Sequence, residues 1–310
     1  MIDLAALESL RAVAHHASVN GAARALGFTP SAVSQQVKRL ERGVGVPLLE
    51  RVGRGVVLTA AGQRLVDDTG ELRERLERIE AEVRLAAGEV AGSLQVATFS
   101  TATRGLVGPV LRRLREEHPD LQVTLQEQEP WDTVDLVATG RVDLGLAHSW
   151  GDLPLTVPAH VRTTDVARDV ADVLVPVDHP LAARESVRPT DLREVDWVAT
   201  ASGTICRQWL SRMYVGTGTS PRIVHEAAEF DSHVAVVAAG LAVALVPRLG
   251  RAALPAEVVA VPVVDPVPER TVTALHRRSM DSSPAVRALL AALVEAPGGH
   301  LARGAPASPA

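Results

Sequence analysis

The chain has 310 residues, 46% hydrophobic and 22% charged, which is enough for roughly two globular domains and too apolar for a chain disordered throughout. No apolar run approaches the ~18 residues that span a bilayer, and the N-terminal MIDLAALESLRAVAHH has neither the basic start nor the cleavage site of a secretory signal, so a soluble, cytoplasmic protein is expected. The net charge of −5 divides unevenly: Arg11, Arg24, Lys38, Arg39, Arg42, Arg51 and Arg54 against Asp3, Glu8, Glu41 and Glu50 leave +3 on the first sixty residues and −8 on the rest, which points the N-terminal module at an anion such as nucleic acid.

Leu4, Leu7, Leu10, Val13 and Ala14 recur at helical spacing and predict a first amphipathic helix. Asn20 is the expected N-cap of a short helix, GAARAL, whose alanines permit close packing and which Gly27 ends. Thr29-Pro30 supplies another cap with proline at the first helical position, so a third helix runs from Pro30 to about Arg42. A short helix, a glycine turn and another helix make a helix-turn-helix. On the third helix Ser31, Ser34, Gln35 and Lys38 share one face, and Val33, Val37 and Leu40 lie opposite. The polar face carries hydroxyl, amide and ammonium groups, which hydrogen-bond base edges and phosphates in a major groove about 12 Å wide.

The next segment, VPLLERVGRGVVLTAAG, predicts two short strands around Leu48-Leu49 and Val56-Val57-Leu58, joined by a glycine hairpin with Arg51 and Arg54. A basic hairpin beside such a helix is a wing placed to reach phosphates or a narrow minor groove. From Ala22 to Gly62, AARALGFTPSAVSQQVKRLERGVGVPLLERVGRGVVLTAAG resembles the LysR-type transcriptional regulators. The resemblance implies operator binding through helix positions Thr29, Pro30, Ser31, Ser34, Gln35 and Lys38 and wing positions Arg51 and Arg54. The chain departs from the family where Pro30-Ser31 replaces a common Gln-Pro pair and Gln35 stands where many members have arginine, so base preference does not carry over.

Between Ala60 and Val90 there is no proline, and Leu65, Thr69, Leu72, Leu76, Ile79, Val83, Ala86 and Val90 step by four and three as a heptad seam does. Charges of both signs surround it. The pattern predicts a dimerisation helix, as does the resemblance, and a dimer places two recognition helices about 34 Å apart on one DNA face. Gly88 to Gly92 reads as the hinge that ends the helix.

The remainder alternates strands and helices: strand 93–99, helix 104–117, strand 121–126, helix 134–139 and strand 142–148. Segments 161–166 and 170–177 read as a hairpin-like pair. Strand 197–200, helix 205–215, strand 222–226, helix 231–239, strands 241–246, 258–263 and 271–276 and helix 284–295 follow. With HPDLQVTL, GRVDLGLAH, HPLA and AAGLAVALVPRL, this stretch resembles the family's effector domain, built like a periplasmic binding protein with two α/β lobes around a cleft. The expected fold class is therefore α/β with an all-α/winged N-terminal module: a winged helix-turn-helix at 1–60, a linker helix and hinge at 61–91, and an effector-binding domain at 92–296. Lobe one is expected at 92–161 plus 266–296 and lobe two at 162–265, with a flexible tail at 297–310.

Clefts of this kind bind small molecules where strand ends meet helix N-termini, whose free N–H groups favour anions. Ser100, Thr101 and Thr103 occupy such a junction, Ser202, Gly203 and Thr204 an equivalent one, and His148 and Phe230 are further effector-binding candidates; the same hydroxyls serve equally as helix caps. Arg207 either completes an anion site or is solvated. Peroxide-sensing relatives carry a reactive cysteine near the position of Cys206, but this chain has no second cysteine, so an intramolecular disulfide switch is excluded and a buried structural thiol is expected. His148, His179, His225, His233 and Cys206 fit no zinc spacing, and His15 and His16, adjacent on a helix, point apart, so no metal and no cofactor are expected. GxSxG, GxGxxG and GxxxxGK[ST] motifs are missing, which argues against catalysis, and the basic N-terminal module argues against a solute-binding protein that serves a transporter. The expected partners are operator or promoter double-stranded DNA, a small-molecule effector and a second copy of the chain, as a dimer or dimer of dimers, with RNA polymerase if the protein activates and no membrane.

Overall fold

The computed structural model describes residues 3–53, 55–151 and 153–296, in two units that divide between Glu80 and Ala81. Arg54 and the expected tail at 297–310 lie outside the described residues.

The first unit opens with α1 (Leu4–His16), α2 (Val19–Leu26) and α3 (Pro30–Val44). Asp3 caps α1 by accepting from the Ala5 N–H, and Thr29 caps α3 by accepting from the Ala32 N–H, with Pro30 in the first turn as expected. The cap of α2 is Ser18 and not Asn20: Ser18 is extended and its hydroxyl accepts from the Gly21 N–H, so Asn20 falls inside the first turn. Gly27 ends α2 in the left-handed region at φ 68°, as the turn requires. Leu7, Leu10, Val37, Leu40 and Leu48 are buried in one cluster and Val13, Ala22, Ala23 and Val33 in a second, with Leu49 packed against both, so the apolar faces of all three helices are covered.

β1 (Leu49–Val52) and β2 (Gly55–Leu58) pair antiparallel with Val52 opposite Gly55, which gives the hairpin that the sequence predicts. The Glu41 carboxylate accepts from the backbone N–H groups of Leu48 (2.9 Å) and Leu49 (3.3 Å), tying the last turns of α3 to the hairpin. Thr59 donates to the Pro47 carbonyl and accepts from the Gly62 N–H, starting α4 (Ala60–Ala87) against the same strand. At Gly88, φ is +71°, which ends α4 where the hinge is expected.

The second unit runs through β3 (Gly92–Thr98), α5 (Ser100–Ala102), a π-helical turn (Thr103–Val107), α6 (Gly108–Glu117), β4 (Leu121–Glu127), α7 (Pro130–Ala138) and β5 (Leu144–Trp150). It continues with β6 (Val161–Pro176), β7 (Asp196–Ala199), α8 (Ile205–Met213), β8 (Arg222–Glu226), α9 (Phe230–Ala238), β9 (Ala244–Pro247), β10 (Val258–Pro262), β11 (Glu269–Arg277) and α10 (Pro284–Glu295). β4, β3 and β5 are parallel neighbours, and β11 and then β6 extend that sheet antiparallel. Leu94, Val96, Leu144, Leu146, Val272 and Ala274 pack on α6 and α10 on one face. Ala97, Ala147 and Leu275 pack on α7 on the other, so both faces of this lobe's sheet are buried.

Four expectations change here. The hairpin-like pair at 161–177 is the single strand β6: its first part pairs with β11, and its last residues pair with β9 and β10. Val166 and Ala167 belong to the first lobe's core and Val173 and Val175 to the second's, so the chain changes lobe near Asp169–Ala171 and not at 161/162. Ser100–Thr103 is the opening of a helical run that reaches Glu117, not a connection before a helix at 104. The strand expected at 241–246 starts at Ala244, because Gly240 turns the chain at φ +73° and leaves Leu241 exposed. In the second lobe Trp197, Trp209, Leu210, Met213 and Tyr214 form the core, and Tyr214 receives the Trp197 indole N–H and donates to the Leu192 carbonyl.

At Gly62 a Cβ would stand 2.1 Å from the Leu48 carbonyl oxygen, a backbone atom that cannot swing aside. Gly62→Ala is expected to destabilise the first unit by roughly 1–3 kcal/mol, read as a lower midpoint in urea unfolding followed by circular dichroism.

Candidate functional site

Two surfaces gather the residues singled out in the sequence. On α3, Val33, Val37 and Leu40 are buried, which turns the opposite face outward: Thr29, Pro30, Ser31, Gln35 and Lys38 are exposed and Ser34 is half-buried. Arg51 is exposed on β1. A shallow groove beside α3 is walled by Gln35, Lys38, Arg39, Arg42 and Gly45–Pro47. Arg39 and Arg42 were not among the predicted positions, although each lies four residues beyond one of them, at Gln35 and Lys38. Glu41 lies in the same groove, but its carboxylate is held by the Leu48 and Leu49 N–H groups. The free charges there are basic.

The second surface is a cavity of about 290 Å³ between the lobes of the second unit. Ser100 and Thr101 reach it from the start of α5, whose N-cap Phe99 supplies no side-chain bond. His148 reaches it from β5, Phe230 from the start of α9, and Thr204 from the start of α8. Thr103, Ser202 and Gly203 do not line it. Thr103 donates its hydroxyl back to the Phe99 carbonyl (3.3 Å), and Ser202 and Gly203 form an exposed turn with Gly203 at φ +92°. Thr204 also caps α8, accepting from the Arg207 N–H and donating to the Ala201 carbonyl. Arg207 donates to the Thr200 carbonyl (2.9 Å) and stands outside the cavity wall.

The sequence reading missed Arg270. It is the second residue of β11, is 1% exposed, and lies in the cavity wall. Its Nε donates to Asp169 (2.9 Å), its Nη2 donates to the Thr101 hydroxyl (2.8 Å), and the ion pair brings Nη2 within 2.7 Å of the same carboxylate oxygen. The guanidinium carbon lies 5.2 Å from the Phe99 ring centre and 5.4 Å from that of Trp150, at cation–π distance. Asp169 in turn accepts from the Val170 and Leu249 N–H groups, 2.9 Å each. No local signal marks the pair, because β6 (VRTTDVARDVADVLVP) and β11 (ERTVTALHR) each carry several charged and polar residues.

Burial, and secondarily the Arg270 charge, push the His148 imidazole well below its usual range, so it is neutral at pH 7. Burial raises the Cys206 thiol to about 11, the opposite of an activated nucleophile. Burial and the neighbouring Asp132 raise the Glu129 carboxyl. Among the described residues, no three His, Cys, Asp or Glu side chains gather as metal ligands.

Asp169→Asn strands a buried guanidinium and is expected to destabilise the second unit by about 3–5 kcal/mol, whereas the double change Asp169→Asn with Arg270→Met recovers part of that loss in denaturant unfolding. Because the Cys206 thiol titrates near 9 when unfolded and near 11 when folded, the folded state holds one proton more across that window. Stability therefore falls as pH rises from 9 to 11, and the Cys206→Ser variant, compared at both ends, shows a smaller fall.

Comparison with known proteins shows the family of both parts of the chain. Residues 4–63 match the model of the bacterial regulatory helix-turn-helix proteins of the lysR family, and residues 87–298 match the LysR substrate binding domain. The HTH-type transcriptional regulator AlsR of Bacillus subtilis is 31% identical over 255 residues, covering 79% of this chain and 80% of AlsR. The HTH-type transcriptional regulator IlvY of Escherichia coli is 28% identical over 253 residues, covering 80% and 82%. Among solved structures, a full-length OxyR variant from Pseudomonas aeruginosa has the same fold at a TM-score of 0.68 and 22% identity, covering 96% of this chain and all of that one. CbnR in complex with its target DNA superposes at 0.54 and 22% identity, covering 94% and 98%. With both family models matched in order, the chain belongs to the LysR family and is a DNA-binding transcriptional regulator that carries a substrate-binding domain.

Proposed function

We propose that the protein is a cytoplasmic homodimer, assembling further as a dimer of dimers, that reads an operator through α3 and its wing and answers to a small-molecule effector held between the two lobes. The division of labour follows the sequence: residues 1–60 bind DNA, 61–91 join the protomers, and 92–296 bind the effector. The observation that carries the DNA-binding part is the orientation of α3, whose apolar face is locked into the core while Ser31, Gln35 and Lys38 stand exposed. In this reading Ser34 and Gln35 contact base edges, Thr29, Pro30 and Ser31 set the approach of the helix, and Lys38, Arg51 and Arg54 meet phosphates. As an activator the protein would also meet RNA polymerase.

Dimerisation is supported by α4. Leu72, Leu76, Ile79 and Val83 lie along it at heptad spacing and are between 42% and 65% exposed, an apolar stripe that a second copy would cover. In the cleft, Ser100, Thr101, His148, Thr204 and Phe230 stand nearest an effector, and Arg270 joins them. Ligand that prefers one lobe arrangement shifts the population toward it, and the shift alters how the protomers present their wings to DNA.

Fluorescence anisotropy on the DNA upstream of the protein's own gene tests the reading, with a scrambled duplex as control at about 150 mM salt. A preference of ~10³-fold or more is expected for the specific site. Lys38→Ala and Arg51→Ala should each weaken both duplexes and lower the salt slope by about one, whereas Gln35→Ala should erode only the preference. Leu76→Glu should sediment as a monomer and lose operator affinity. No binding to either duplex at low salt would overturn the DNA-binding assignment.

A further inference from the structure

The cavity between the lobes is not an ordinary anion site. Its wall carries Glu127, Glu129, Asp132 and Glu229. The guanidinium in that wall, Arg270, already faces the fully buried Asp169, so its charge is neutralised from behind. Arg104 stands 3.7 Å from Glu229 and offsets one carboxylate in part. Among the described residues, no hydrogen bond or ion pair engages the side chains of Glu127, Glu129 or Asp132. A simple anion entering the cavity would therefore meet net negative charge.

The same wall also carries donors. Arg270 spends Nε and Nη2 on Asp169 and Thr101, and its Nη1 has no acceptor among the described residues. His148 is 3% exposed, neutral, and without a hydrogen bond at its ring. Ser100 and Thr101 open a helical run that reaches Glu117, and Phe99 provides no side-chain cap to its first N–H groups. These donors line a small cavity, and they suit a carboxylate. The acids that line the same cavity suit an ammonium or guanidinium. Glu129 and Asp132 crowd one another, which burial sharpens, and a cation between them would relieve both effects.

We propose that the effector is a small zwitterion of the amino-acid type, its carboxylate held by Ser100, Thr101 and the free Nη1 of Arg270, and its cationic nitrogen held by Glu129 and Asp132. The assignment rests on the reading of this cavity as the effector site and narrows it to a chemical class. The volume of about 290 Å³ lies at the lower end of small-molecule sites, in keeping with a metabolite of that size.

The test is a thermal-shift screen of the full-length protein followed by calorimetry, with three matched arms: the common α-amino acids with ornithine and 4-aminobutyrate, the amines left when each loses its carboxylate, and the acids left when each loses its amine. At least one zwitterion is expected to bind ten-fold or more tightly than both of its matched partners. Glu129→Gln with Asp132→Asn should weaken that zwitterion ten-fold or more and leave the matched acid unchanged or tighter, and Ser100→Ala should weaken zwitterion and acid alike. If an acid binds as tightly as its zwitterion and Ser100→Ala weakens it, the site stands and the zwitterion class falls. The same holds, with the opposite sign, if an amine binds as tightly as its zwitterion and the Glu129/Asp132 double variant abolishes it. A zwitterion whose affinity neither variant changes binds elsewhere and overturns the reading of the cavity itself. Silence in all three arms overturns the class.

Discussion

The pairing of Asp169 with Arg270 is the constraint on which the second unit turns. Both side chains are 1% exposed or less, and an isolated ion so buried costs several kcal/mol, so neither could occupy its place without the other. The geometry supplies what the desolvation demands. Asp169 pairs with the guanidinium, accepting a hydrogen bond from its Nε, and takes one each from the Val170 and Leu249 N–H groups. Arg270 adds a bond to Thr101 and lies against the faces of Phe99 and Trp150. One ion pair thus joins β6, β11, the start of α5 and the segment after β9, which are the four pieces of chain that meet where the lobes divide.

A second buried carboxylate stands three residues further along the same strand. Asp172 is held by Arg248 through two bonds (2.6 and 2.8 Å) and by Arg251 at 3.0 Å. Nearby the backbones themselves touch: a Cβ on Gly250 would stand 2.3 Å from the Thr101 carbonyl oxygen, and one on Gly105 would stand 2.5 Å from the Gly250 nitrogen. Arg104 closes the same seam by donating to the Gly250 carbonyl. The junction is therefore fixed by directional bonds and close backbone contact, not by a soft apolar surface. Any change in lobe angle has to work through it, and the guanidinium that binds it together also looks into the cavity. Binding chemistry and lobe geometry share one side chain, which is the physical requirement for a ligand to bias one arrangement over another.

How much of this was legible in the sequence follows the range of the interactions. The helix-turn-helix is written locally: caps at Asp3 and Thr29, glycine at 27, and apolar spacing that places Val33, Val37 and Leu40 inward. The one slip there, Asn20 for Ser18, is a choice between two good capping residues two positions apart, decided by which one is extended. β6 was misread because Arg168-Asp169 looks like a polar turn between two apolar runs. Its partner, Arg270, is 101 residues away, and no local pattern reveals that the charge is satisfied. In the cleft, a hydroxyl at a strand–helix junction is equally a cap and a ligand contact. Thr103 and Thr204 bond back to the chain beside them, Ser202 lies in an exposed turn, and Ser100 and Thr101 line the cavity.

The acidity of the cavity has its own structural origin. Glu129 and Glu229 are the N-cap residues of α7 and α9, and neither uses its side chain to cap its helix. Asp132 lies in the first turn of α7 and Asp231 in the first turn of α9. The positive end of each helix dipole favours a carboxylate at these positions by about 0.3–1 kcal/mol, which offsets part of the repulsion among acids gathered around so small a space. The backbone therefore holds the carboxylates in place while their oxygens remain, among the described residues, without hydrogen-bonded partners at Glu129 and Asp132. Repulsion that helix dipoles compensate only in part is visible at Glu129, whose carboxyl is raised by burial and by Asp132. A cation brought in with a ligand would supply what the helix ends leave incomplete, while the hydroxyls and guanidinium of the same cavity hold the ligand's other end.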